Sequence, residues 1–106
     1  PNAHTFFPSI SVDASGNMAM SFALSSPNHF GGAYYSGRLA GDPAGTTRST
    51  GILRSGVASY DPTNDGFAEP RWGDYSGIAL DPSNEAEFWA FGEFARATDD
   101  WGTYIG

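Results

Sequence analysis

Four neighbouring side chains near the middle of the chain suit the recognition of a sugar. Arg71, Trp72, Asp74 and Tyr75 combine a guanidinium, a carboxylate and two aromatic rings. Sugar rings stack on indole and phenol faces, while charged groups bind hydroxyls or a carboxylate. A structural interpretation, which the sequence favours, is an Arg71–Asp74 ion pair that fixes a turn, with both aromatic rings in the core. The four residues are the predicted ligand-binding set.

Oxygen-bearing residues just before this cluster follow the spacing of a calcium loop. Asp61, Thr63 and Asp65 occupy alternate positions and Gly66 follows them. This matches the first half of an EF-type loop, in which the glycine permits a sharp bend. The twelfth position should be a bidentate Glu, and here it is Trp72. Turns without metal explain the same residues, so calcium is predicted as a candidate cofactor with the first three as ligands.

Acidic residues elsewhere raise the question of catalysis. A glycosidase needs two carboxylates at a set separation, and strand alternation would place Glu85, Glu87 and Glu93 on one face. Solvated surface acids explain the same pattern. His4 and His29 lie in predicted loops and fall short of the three or four ligands of a transition-metal site. The sequence therefore assigns no catalytic residue.

The charge balance excludes several classes of partner. Twelve acids oppose five arginines in 106 residues, the formal charge is −7, and there is neither lysine nor cysteine. Nucleic-acid binding needs a basic patch, and a membrane span needs roughly 18 consecutive apolar residues. We therefore expect no nucleic acid and no membrane span. A first residue that is Pro rather than Met suggests a trimmed, secreted product.

Turn residues and alternation predict a chain made of strands. Fourteen glycines and seven prolines interrupt nearly every candidate helix. Asp13 and Gly16 provide the turn chemistry of a tight hairpin. The only helical competitor is 84–97, where Phe recurs every three residues around Gly92. The predicted strands are 9–13, 17–24, 32–38, 51–57, 76–81, 86–94 and 101–105.

An internal repeat organises these strands. Ser-Val-Asp at 11–13 corresponds to Ala-Leu-Asp at 79–81, and the Tyr-Tyr-Ser-Gly run at 34–37 corresponds to 102–106, with an offset of about 67–69 residues. The chain is then one domain, 1–106, with repeats at about 9–57 and 75–106.

One run of residues resembles a known family. Arg-Trp-Gly-Asp-Tyr-Ser-Gly at 71–77, with 79–82, 88–89 and 101–103, is similar to sialidase-like BNR-repeat β-propellers secreted by bacteria. The likeness covers about 9–38 and 71–106. It implies four-stranded blades near the end of a longer propeller and an extracellular location. It does not carry over an active site, because the arginine triad needs many blades and the Ser-x-Asp-x-Gly-x-Thr-Trp box is absent.

The sequence thus predicts an all-β fold of antiparallel, four-stranded, blade-like sheets, about two in number, or alternatively a small β-sandwich. A closed propeller has roughly four to eight blades. We therefore expect a homo-oligomer, such as three copies making six blades, or a part of a larger propeller. The alternative is that the two sheets fold face to face as a sandwich.

The expected function is a non-catalytic module that binds a glycan or serves in assembly. One alternative is a sialidase-like glycoside hydrolase whose site is completed by other subunits or by further sequence. Another is a structural unit that self-assembles outside the cell.

Overall fold

The computed structural model describes residues 2–62 and 69–106 and confirms the all-β prediction. In that part of the chain there is no helix. The helical alternative at 84–97 is wrong, because residues 88–97 form a strand in which Gly92 lies close to the neighbouring sheet. The strands are β1 (His4–Val12), β2 (Met18–Ser26), β3 (His29–Arg38), β4 (Gly51–Arg54), β5 (Gly77–Leu80), β6 (Phe88–Ala97) and β7 (Asp100–Ile105).

The strands form two antiparallel sheets in which each strand pairs with its neighbour along the chain. The first sheet has the order β1-β2-β3-β4 and the second has the order β5-β6-β7. In each sheet an aspartate turn joins the first two strands. The carboxylate of Asp13 accepts the amides of Ser15 and Asn17, and that of Asp81 accepts the amides of Ser83 and Asn84. The first hairpin of each sheet therefore has the same kind of aspartate-stabilised turn.

The strand registers refine the predicted repeat. Val12 pairs with Met18 at the end of the first hairpin, and Leu80 pairs with Phe88 at the same place in the second. The second turn is longer than the first, so the offset is 68 residues between Val12 and Leu80 and 70 residues between Met18 and Phe88. The register then makes Phe22 equivalent to Gly92, with their partners Tyr34 and Tyr104 equivalent as well.

Small residues bring the two sheets close together. Ser21, Ala23 and Ala33 are almost fully buried on the face of the first sheet that meets the second. Opposite them, a Cβ built on Gly92 would lie 2.9 Å from the Cβ of Ala33. The hydroxyl of Ser21 lies within hydrogen-bond reach of the carbonyl oxygen of Gly77 at 3.2 Å. The core is therefore a thin layer of small side chains, completed by larger ones at its margins.

The two sheets stack in the same orientation. In the first sheet Ala19, Ser21 and Ala23 point toward the second sheet. Their equivalents in the second sheet are Trp89, Phe91 and Glu93. Gly92 faces the first sheet, so its neighbours along the strand point away from it. Equivalent faces thus point in one direction, and the second sheet presents an aromatic outer face.

Candidate functional site

A cavity of about 290 Å³ opens beside the outer face of the second sheet. It collects side chains from three separate parts of the chain, and three of the four predicted ligand-binding residues are among them. Tyr75 is the exception: it is 81% exposed and does not line the cavity. The structural alternative that placed Tyr75 in the core is therefore wrong. The lining side chains are Tyr60, Arg71, Trp72, Asp74, Glu93 and Trp101.

Glu93 places a carboxylate in this cavity because alternation along β6 turns it away from the first sheet. The amide of Gly73 donates a hydrogen bond of 2.8 Å to its Oε2. A Cβ on Gly73 would overlap the carboxylate, so only glycine allows this approach. Burial raises the pKa of Glu93, the Gly73 hydrogen bond opposes this, and the nearby Asp74 charge raises it further.

Two aromatic rings meet at right angles on one side of the cavity. The rings of Tyr60 and Trp72 have centroids 5.2 Å apart and an interplanar angle of 90°. The Trp72 indole reaches the first sheet, where a Cβ on Gly31 would lie 2.9 Å from it. Edge-to-face contact of this kind stabilises both rings by about 0.5–1.5 kcal/mol beyond their burial. Trp101 of β7 provides a third ring and is half exposed.

Asp99 holds the backbone on both sides of Tyr60. Its carboxylate Oδ1 accepts the amide of Asp61 at 2.8 Å, and its own amide donates to the carbonyl oxygen of Ser59 at 3.0 Å. Asp99 adopts a φ of 54° in the turn between β6 and β7, a left-handed conformation that Asp and Asn tolerate better than most residues. This turn therefore positions one wall of the cavity.

The predicted Arg71–Asp74 ion pair is present at the rim. Its atoms are 3.6 Å apart, and both side chains are more than half exposed. An exposed pair of this kind contributes about 0–1 kcal/mol to stability, so it adds little to the fold. The cavity then holds one guanidinium and two carboxylates, together with three aromatic rings. Such a lining can bind hydroxyl or ammonium groups and stack against a ring.

The calcium prediction stays a prediction. Of its three ligands, Thr63 and Asp65 lie outside the described residues. The amide of Asp61 donates to Asp99, as described above. Within residues 2–62 and 69–106, no three His, Cys, Asp or Glu side chains are grouped to hold a metal ion.

The predicted carboxylate stripe is wrong for two of its three members. Glu85 and Glu87 precede β6 and lie in the turn after β5, where the Glu87 amide donates to the carbonyl oxygen of Asn84. Alternation therefore cannot place them with Glu93. Tyr60 and the positioning role of Asp99 were missed altogether, because no local pattern marks them.

Two larger cavities have a more apolar character. One of about 310 Å³ lies on the outer face of the first sheet, against Met20 and Phe22. Another, of about 470 Å³, lies between the sheets beside Tyr35, Ile78 and Phe88. Neither places a carboxylate or a guanidinium in its lining. A third, of about 370 Å³, does carry charged groups, with Asp13, Arg38 and Arg48 in its lining. The Glu93 cavity is preferred as the candidate site because three of the four predicted ligand-binding residues line it.

The part of the chain that the structure describes contains no helix able to span a membrane. Comparison of the chain with known protein families, with curated proteins and with solved structures found no match.

Proposed function

We propose that the chain is a non-catalytic glycan-binding module and that the Glu93 cavity is its binding site. The observation that carries the proposal is the convergence of three aromatic rings and a partly desolvated carboxylate in one cavity. Sugars present apolar ring faces edged by hydroxyls, and this combination of surfaces matches them. In this arrangement Trp101 stacks on the sugar ring while Glu93 accepts its hydroxyl hydrogen bonds.

The experiment compares two tryptophans on the same sheet. Trp101 and Trp89 are each 51% exposed, but only Trp101 lines the cavity. Trp101→Ala should weaken binding of a glycan, identified by array screening and measured by calorimetry, by about tenfold or more. Trp89→Ala should change the affinity by less than about twofold. Equal losses in the two variants, or no glycan bound by the parent chain, would reject the proposed site.

The larger context proposed for this module is an extracellular bacterial protein of sialidase-like propeller type. Two observations support the proposal. The sheets stack in the same orientation, as successive blades of a propeller do, and the run at 71–77 resembles that family. A closed propeller needs more than two sheets. Copies of this chain or more sequence would supply them, and they would have to leave the Glu93 cavity open to its ligand. Native mass in solution, with and without calcium, tests the first source: a stable monomer counts against a homo-oligomer.

Glycoside hydrolysis is the second candidate function. It is favoured by one observation: Glu93, with its raised pKa, lies near the ionisable Asp74 in the same cavity. Many glycosidases use two carboxyl groups in one site as an acid and base pair. A panel of glycosides, including sialosides, tests this. Turnover that is lost in both Glu93→Gln and Asp74→Asn would establish an enzyme, whereas binding without turnover supports the non-catalytic module.

A further inference from the structure

The charges around the Glu93 cavity do not balance. Arg71 is matched by Asp74, which leaves the carboxylate of Glu93 with the amide of Gly73 but no second cation in the lining. The chain contains no lysine, and its formal charge is −7. The lining that residues 2–62 and 69–106 provide is therefore net negative by one charge, inside a molecule that is itself strongly acidic.

The remaining arginines are engaged elsewhere. Arg48 pairs with Asp42, and Arg96 pairs with Asp100. Arg38 donates to the carbonyl oxygen of Asp42. Arg54 lies over the rings of Phe94 and Tyr104, at 5.2 and 5.7 Å from their centroids. None of the four lines the cavity. An anionic sugar would therefore meet one rim guanidinium, already paired, and two carboxylates.

A cationic sugar would meet the opposite situation. An ammonium group is attracted by carboxylates and by the faces of Trp and Tyr rings. The Glu93 cavity holds both kinds of partner: the carboxylates of Glu93 and Asp74, and the rings of Tyr60, Trp72 and Trp101. Aromatic rings and carboxylates are the groups with which proteins bind organic cations.

We propose that the cavity binds amino sugars that carry a free ammonium group, in preference to N-acetylated or acidic sugars. This inference rests on the glycan-binding function proposed above and names its ligand class. The ammonium pairs with Glu93 and the sugar ring stacks on Trp101. Asp74, balanced by Arg71, orients hydroxyls at the rim.

Desolvation makes Glu93 sensitive to the charge of its partner. Burial raises its pKa in the free protein, and an ammonium ligand would favour the ionised form and lower the pKa again. The affinity for an amino sugar should therefore rise with pH as Glu93 ionises, and fall again where the sugar amine loses its proton. A neutral sugar, which offers Glu93 only hydroxyl hydrogen bonds, should show a smaller rise.

The experiment measures calorimetric binding of three oligosaccharides of matched length at about pH 6, below the pKa of ordinary amines. They are a glucosamine oligomer, its N-acetylated counterpart and an oligogalacturonate. The glucosamine oligomer should bind at least about tenfold more tightly than either of the others. Glu93→Gln should remove that preference. Glu85→Gln, the same charge change in a distant turn, should keep it, which separates the cavity from the general acidity of the chain.

The outcomes separate the ligand class from the function. Equal or tighter binding of the N-acetylated or acidic oligomer, with Trp101 required, would overturn the amino-sugar inference and keep the glycan module. Equal losses in Glu93→Gln and Glu85→Gln would overturn it as well, since attraction would then be non-specific. Binding of tetramethylammonium as tight as that of the glucosamine oligomer would overturn the sugar-binding function on which the inference rests. No binding of any oligosaccharide would reject both.

Discussion

Ala23 and Glu93 occupy equivalent positions in the two sheets and have opposite surroundings. Ala23 in β2 is 7% exposed and packs between the sheets. Glu93 in β6 lies in a cavity, with its carboxylate held by Gly73. Both lie in the central strand of three consecutive antiparallel strands, and both point in the same direction. One position of the repeat therefore serves packing in the first sheet and recognition in the second.

The difference shows that the role of a residue in this fold depends on whether another sheet covers it, more than on its position along the strand. Where a second sheet covers the face, residues are small: Ala19, Ser21 and Ala23. At the three equivalent positions of β6 they are large or charged: Trp89, Phe91 and Glu93. A covered face requires close packing, whereas an open face can carry rings and a carboxylate. The predictions below test this contrast, beginning with the largest effect.

Transferring the charge to the covered face should be the most damaging change. Ala23→Glu would bury a carboxylate between the sheets without a partner and lower the free energy of unfolding by about 3–5 kcal/mol. The reciprocal Glu93→Ala should leave stability nearly unchanged and abolish ligand binding. Urea denaturation at neutral pH measures the first effect and calorimetry the second. Similar stability losses in the two variants would contradict the contrast between a covered position at Ala23 and an open one at Glu93.

The closest approach of the sheets gives the second prediction. A methyl group at Gly92 would lie 2.9 Å from the Cβ of Ala33, so Gly92→Ala should push the sheets apart and cost about 1–3 kcal/mol. Gly41→Ala is the control, because a Cβ there meets nothing within 4 Å. Thermal unfolding compares the two. A Gly92→Ala chain as stable as the Gly41→Ala chain would show that the sheets are not in close contact here.

The third prediction concerns Asp99, in the turn between β6 and β7 that holds the backbone beside Tyr60. Asp99→Ala removes the acceptor for the Asp61 amide and places alanine at a positive φ, which should cost about 1–2 kcal/mol. Asp99→Asn keeps both an acceptor oxygen and tolerance of this conformation, so it should recover most of the stability and affinity. Calorimetric affinity and tyrosine fluorescence follow the wall of the cavity. If Asp99→Asn loses as much stability and affinity as Asp99→Ala, the charge of Asp99, and not its hydrogen-bond geometry, stabilises the turn.

The aspartate turns predict a smaller, shared effect in both sheets. Hydrogen bonds lower the pKa of Asp13, chiefly from Asn17, and that of Asp81, chiefly from Trp89. Their stabilising contribution is thus full above the unfolded pKa and is lost as pH falls through the folded value. Asp13→Ala and Asp81→Ala should each lower Tm by a few degrees at neutral pH. The deficit should shrink in acid, and a deficit independent of pH would contradict the assignment.

The smallest expected effect is the pH dependence of stability that Glu93 causes, and its sign is opposite to that of the two aspartates. The pKa of Glu93 is raised, so the folded protein binds its proton more readily than the unfolded chain does. Stability then falls as pH rises from the unfolded pKa through the folded one. Glu93→Gln should match the parent Tm in acid and exceed it slightly near neutral pH, whereas Glu85→Gln should follow the parent throughout. A lower Tm for Glu93→Gln at neutral pH would show that the ionised carboxylate stabilises the fold.

Much of the fold could be predicted because its signals are local. Alternating side chains mark the strands, and Asp13 and Asp81 each bond to amides only a few residues away. The site was predicted in part, as Arg71, Trp72 and Asp74 are close in sequence and remain together. Tyr75, equally close, points to solvent, because its direction depends on where the segment meets β6.

What the sequence determined by itself is the all-β class, the order of the strands, the two equivalent turns and the acidic balance of the chain, since each depends on composition or on residues near one another. The strand ends were not determined in this way: His4 and His29, placed in predicted loops, lie in β1 and β3. What only the tertiary structure decided is the cavity. Tyr60, Glu93 and Trp101 come together because Asp99 holds one segment, β6 turns its carboxylate outward, and the sheets stack in one orientation. These contacts join distant parts of the chain. No local sequence pattern predicts which face of a repeat a second sheet will cover.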